Sequence, residues 1–62
     1  MPRTFTEYRR SRKLTQEQVE ADVGISQAAI SKGERFGFGK DLARKLARAY
    51  RLPLSMLERG SE

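Results

Sequence analysis

Sixty-two residues, 37% hydrophobic and 34% charged, suffice for one small domain with a marginal core. The chain has no cysteine and no histidine, which excludes disulfide bracing, thiolate metal sites and histidine-based acid–base chemistry. Thirteen Lys and Arg against eight Asp and Glu leave a net charge of +5, a balance that suits a polyanionic partner: nucleic acid first, an anionic membrane surface second.

In chain order, Thr4 with Glu7 predicts a capping box at the start of a first helix, with Phe5 and Tyr8 on one face. Arg9, Arg10, Arg12 and Lys13 fall in its last turn, where the helix dipole favours cations. Thr15 and Gln18 form a second box, and Leu14 with Val19 a hydrophobic staple. Gly24 stops that second helix. Ser26 caps a third, with Ala29 and Ile30 inward and Gln27, Ala28, Ser31 and Lys32 outward. Gly33 weakens the last turn of this helix, by up to ~1 kcal/mol relative to alanine.

Phe36-Gly37-Phe38-Gly39 is expected to be a loop. Leu42, Ala43, Leu46, Ala47 and Tyr50 then recur at helical spacing. Leu52-Pro53 ends that fourth helix, since proline cannot continue it. A short fifth helix follows, with Leu54 and Leu57 as its core face and Gly60 as its stop; Ser61 and Glu62 are expected to fray. The expected core is Phe5, Tyr8, Val19, Val23, Ile25, Ile30, Leu42, Leu46, Tyr50, Leu54 and Leu57. The chain thus reads as all-α, a five-helix bundle in a single domain over residues 1–62. No apolar run approaches the ~20 residues that span a bilayer. Met1-Pro2-Arg3-Thr4 lacks the apolar stretch of a secretion signal, so the expected compartment is the cytoplasm.

The most informative stretch is about 15–35. Gly24, Ile25 and Ser26 supply, in order, a left-handed residue, an apolar residue to bury a bend, and a helix cap. A turn of this kind sets two short helices at a steep angle and leaves the second protruding. Such a helix fits the ~12 Å major groove of B-DNA. Gln27 there can make two hydrogen bonds to adenine, Ala28 can meet a thymine methyl, Ser31 can bond either base type, and Lys32 can reach guanine or a phosphate. The bland alternatives are a cap-side polar residue, simple helix propensity and a solvated lysine. Gly33 to Lys40 superficially suggests a phosphate-binding loop. The glycine spacing is wrong for one, Asp41 stands where a hydroxyl residue is needed, and no strand precedes it.

Leu14-Thr15-Gln16-Glu17-Gln18-Val19, Gly24 to Ser31, Glu34, Leu46 to Tyr50 and Leu52 to Leu57 together resemble the phage repressor/Cro helix-turn-helix family. Gln27 with Lys32 is similar to the reading helix of lambda-type Cro. The helical spacing elsewhere is more like a lambdoid repressor domain. Three features depart from the family pattern: Gly33 in place of a bulky apolar residue, Arg35-Phe36 in place of Asn-Gly, and Phe38-Gly39 in place of a proline before helix four. Phe36 or Phe38 could fill the space that Gly33 leaves.

The resemblance implies a phosphate contact from Gln16 and a salt bridge between Arg9 and Glu34 that orients the reading helix. Arg10, Arg12, Lys13, Arg35, Lys40 and Arg44 are the candidate phosphate neutralisers, each equally well read as a solvated charge. Phe36, Phe38, Leu54, Met56 and Leu57 are the candidate dimer interface, with weak pairing alone and stronger pairing on DNA. The expected function is sequence-specific binding of double-stranded DNA at a pseudo-palindromic operator. The protein would be a Cro-like phage or prophage repressor in the bacterial cytoplasm or nucleoid, acting as a dimer by occlusion. It is expected to need no cofactor and no metal, to bind no membrane and to catalyse no reaction. The alternative is an antitoxin-like or restriction-controller-like protein whose helical domain chiefly binds protein.

Overall fold

The computed structural model describes residues 2–60. It contains α1 (Phe5–Ser11), α2 (Gln16–Val23), α3 (Gln27–Phe36), α4 (Lys40–Tyr50) and α5 (Leu54–Glu58), with no strand among the described residues. The fraying expected of Ser61 and Glu62 lies outside them. Principal extents of 23 × 23 × 22 Å make the bundle nearly isometric. None of the described helices is long and apolar enough to cross a membrane.

The helix boundaries follow from local chemistry. The Thr4 hydroxyl oxygen accepts the Glu7 N–H at 3.3 Å. The return half of that box differs from expectation, because the Thr4 hydroxyl donates to the Glu7 carboxylate at 3.5 Å. Lys13 closes α1 in a left-handed conformation, φ 57°. Its N–H donates to the Arg10 carbonyl and that of Leu14 to the Arg9 carbonyl, each at 3.0 Å, the paired bonds of a Schellman turn. At the start of α2 the capping box is complete: the Gln18 N–H donates to the Thr15 hydroxyl at 3.1 Å and the Thr15 N–H to Gln18 Oε1 at 2.8 Å. Gly24 ends α2 at φ 78°, and Ser26 caps α3 by accepting the Ala29 N–H at 3.2 Å.

α3 continues through Gly33 to Phe36, so the expected loop is one residue shorter at its start. Phe38 explains the glycine. A Cβ on residue 33 would fall inside the contact radius of the Phe38 ring. Glycine costs the helix at most ~1 kcal/mol, whereas burying a phenylalanine returns roughly 1.5–3 kcal/mol. Phe38 is 6% exposed and its ring stands perpendicular to that of Phe5, centroids 5.6 Å apart.

The core consists of Phe5, Val19, Ile25, Ile30, Phe38, Ala43, Leu46 and Leu57. Tyr8, Val23, Leu42 and Tyr50, expected inside, are half-buried around it. Leu54, also expected inside, is 44% exposed. The Phe38 N–H donates to the Leu57 carbonyl at 2.8 Å. That bond pins the C-terminal end of the five-residue α5 and leaves its first residue at the rim, beside Lys40, Ala43 and Arg44.

Candidate nucleic-acid interface

The turn between α2 and α3 gives the site its shape. Gly24 takes the left-handed conformation the bend requires, Ile25 is buried beneath it, and Ser26 starts α3. On α3, Ile30, Gly33 and Glu34 are buried while Gln27, Ala28, Ser31, Lys32 and Arg35 are exposed. The exposed set forms one polar face of about three turns, opposite the face that enters the core.

Glu34 is 7% exposed yet charged, and its partners explain how that is tolerated. Arg9 donates Nε to Glu34 Oε2 at 2.6 Å and Nη2 to Oε1 at 3.2 Å. The third Arg9 donor, Nη1, reaches the Leu14 carbonyl at 2.8 Å. Gln16 adds Nε2 to Glu34 Oε1 at 3.1 Å. The Arg9–Glu34 pair with Gln16 therefore fastens α1, the α1–α2 turn, the start of α2 and the end of α3. The Gln16 side chain, read as a phosphate ligand, has its amide nitrogen turned inward to this network.

Arg9, Arg10, Lys13, Leu14, Thr15, Gln16, Glu17 and Gln27 line one open cleft at the N-terminal end of α2. Arg10, Lys13 and Gln16 are thus brought together with the first outward residue of α3. Arg12 stands apart, its guanidinium over the Tyr8 ring at 5.4 Å. Lys40 and Arg44 lie elsewhere, on α4 beside Leu54 and Glu58, and Arg44 also borders a groove with Val23, Lys45 and Arg48. Arg35 stacks over the Phe36 ring at 5.0 Å near the end of α3.

The candidate interface between subunits needs correction. Phe38 and Leu57 are buried within the protomer, because Phe38 fills the space at Gly33 and Leu57 closes the core beneath α5. Phe36 is 65% exposed, Leu54 is exposed and Met56 is half-buried, so these three remain at the surface.

Besides the Gln16 and Leu14 contacts, two further polar contacts have no counterpart in the sequence expectations. The Gln27 N–H donates to Glu20 Oε2 at 3.0 Å across the turn. The Tyr50 hydroxyl donates to Asp22 Oδ2 at 3.2 Å. Burial, then the adjacent Asp22 charge, pushes the Tyr50 hydroxyl up to about 12. Each pair is separated in sequence, by 7 and 28 residues, so neither carries a local signature. Among the described residues no cluster of carboxylates could hold a metal ion.

A family model described as helix-turn-helix matches residues 6–35. That stretch runs from within α1 through the turn to the penultimate residue of α3. Searches among curated proteins and among solved structures gave no match. Sequence match and geometry coincide on the same segment: residues 6–35 contain α2, the Gly24-Ile25-Ser26 turn and nearly all of α3, a helix-turn-helix within a five-helix chain.

Proposed function

We propose that the chain is a sequence-specific regulator of transcription that binds double-stranded DNA, a Cro-like phage or prophage repressor occupying an operator as a dimer and excluding polymerase. One observation carries this reading. The outward face of α3 presents Gln27, Ala28, Ser31 and Lys32 together, on a helix whose other face is locked into the core. That is the side-chain chemistry of base reading: a bidentate amide for adenine, a methyl for thymine, a hydroxyl for either base type, an ammonium for guanine or phosphate.

Around this face, Arg10 and Lys13 hold one phosphate strand at the cleft, joined by the second amide hydrogen of Gln16, whose first is bonded to Glu34. Arg35 stands near the end of α3, and Lys40 and Arg44 on α4 are the remaining phosphate contacts. The Arg9–Glu34 pair sets the angle of α3. Phe36, Leu54 and Met56 form the dimer contact. The whole chain acts as one binding domain, in the bacterial cytoplasm or nucleoid where operators are found.

The test is binding to random duplex as a function of salt, followed by selection of preferred sequences. Affinity should fall steeply with salt, and selection should enrich a near-palindrome with half-sites about one helical turn apart. Gln27→Ala and Lys32→Ala should relax preference at particular base pairs, by ~1–3 kcal/mol each, whereas Arg35→Ala should weaken all sequences alike. Absence of any enriched sequence would falsify the reading. It would favour the second one, a protein-interaction module of the antitoxin or restriction-controller kind, for which the exposed Phe36 is the motivating feature.

A further inference from the structure

The first N–H of α3 is taken by a carboxylate of α2. Helix N-termini attract anions, because their first N–H groups lack partners within the helix and the dipole favours negative charge. Here Glu20, half-buried near the end of α2, places its carboxylate on the N–H of Gln27, the first residue of α3, at 3.0 Å. Ser26 takes the N–H of Ala29. A full negative charge therefore already stands where a phosphate would bind.

We propose that Glu20 is a positioning residue for base recognition. Its carboxylate fixes the backbone of Gln27 against α2, and its charge bars a phosphate from the start of α3. The Gln27 side chain is thereby assigned to a base edge and not to the DNA backbone. This rests on the DNA-reading function of α3 proposed above, and it identifies which contact the first residue of that helix makes. Phosphate anchoring falls instead to the cleft at the start of α2, where Arg10 and Lys13 outnumber the one carboxylate of the lining, Glu17.

Two substitutions separate the hydrogen bond from the charge. Glu20→Gln keeps an acceptor for the Gln27 N–H and removes the charge. Glu20→Ala removes both. Each should raise affinity for random duplex, since each deletes one negative charge beside a polyanion. Only Glu20→Ala should lose preference at the base pair read by Gln27, by about tenfold. It should lose nothing further in a Gln27→Ala background, a result that general destabilisation would not give. A readout free of DNA accompanies these: amide hydrogen exchange at Gln27 should accelerate about fivefold in Glu20→Ala and stay near the wild-type rate in Glu20→Gln. Thermal melts of both variants check that the fold is retained.

If wild type enriches a sequence and Glu20→Ala enriches it equally well, the role of Glu20 is wrong while the DNA-reading function stands. Equal loss of preference in both variants would assign the effect to charge and overturn the hydrogen-bond argument. Unchanged Gln27 exchange in Glu20→Ala would overturn it as well. If wild type enriches nothing, the DNA-reading function fails and takes the role of Glu20 with it.

Discussion

Gly33 is the residue whose replacement tests the packing most directly. It sits in the last part of a helix, where helix propensity alone favours alanine. Contact with the Phe38 ring reverses that sign. Gly33→Ala should destabilise the protein by about 1–3 kcal/mol in urea unfolding, the cost of forcing extra atoms into a packed core. Pairing it with Phe38→Leu, which trims the opposing ring, should recover part of that loss. Equal stability of Gly33→Ala and wild type would show that Phe38 moves aside freely. The consequence for binding follows from position: Gly33 lies directly after Lys32, so displacement of Phe38 disturbs the far end of the reading face first.

The helices were legible in the sequence where a motif of a few residues defines a boundary. Thr15 with Gln18, Gly24 and Ser26 each satisfy or shape a backbone group within three or four positions, and pattern alone locates them. Lys13 and Arg51 escaped notice because both hold left-handed backbone, φ 57° and 55°, at residue types that give no warning of it. The site was legible to the same degree. The outward face of α3 follows from helical periodicity, whereas the Glu20 and Asp22 contacts depend on tertiary distances that no spacing rule reports. Phe38 is buried where a surface contact is expected, because two aromatics beside glycines look the same in sequence whether one or both are buried; Leu57, expected both in the core and at the subunit contact, belongs to the core.

Arg51 offers the clean test of that hidden strain, since it is exposed and closes α4 through the Leu52 N–H bond to the Ala47 carbonyl at 3.0 Å. Replacement with glycine relieves a left-handed penalty of ~1–2 kcal/mol and adds back some chain entropy. Arg51→Gly should therefore raise the midpoint of thermal unfolding by a few degrees, a net gain of up to ~1 kcal/mol. A lower midpoint would mean that the arginine side chain makes a contact worth more than the strain.

The α2–α4 contact carries a pH dependence of defined sign. Folding raises the Tyr50 hydroxyl from 10.0 to about 12, first through burial and then through Asp22. The folded state thus favours the neutral phenol. The stabilisation is fully present below pH 10 and is lost as pH rises from about 10 through about 12. Tyr50→Phe should be less stable than wild type at neutral pH, lacking the bond to Asp22, and the gap should close across that alkaline window. A gap independent of pH, measured by urea unfolding from pH 8 to 12, would assign the difference to packing alone.

At the scale of the whole molecule, charge and apolar exposure divide the surface. Cations stand at the α1–α2 cleft, on α3 and along α4, and the net charge is +5. Phe36 and Leu54 are the exposed large hydrophobics among the described residues, and Phe36 is the more exposed, a ring 65% open at the end of the reading helix and flanked by Arg35. An isolated exposed phenylalanine is ordinary. Its place beside the DNA face gives it a specific use in the proposed dimer, because two copies bound to adjacent half-sites of a palindrome must meet across a two-fold axis. Burial of one ring from each subunit contributes roughly 1.5–3 kcal/mol per side chain, too little for a stable dimer in free solution but enough for cooperative pairing once DNA has brought two copies together. Phe36→Asp should therefore leave the sedimentation behaviour of the free protein unchanged and abolish cooperative binding to a two-half-site duplex. Binding to a duplex with a single half-site supplies the control. An equal fall on single and double half-sites would place Phe36 against DNA instead of against its counterpart, and undiminished cooperativity would move the subunit contact to Leu54 and Met56.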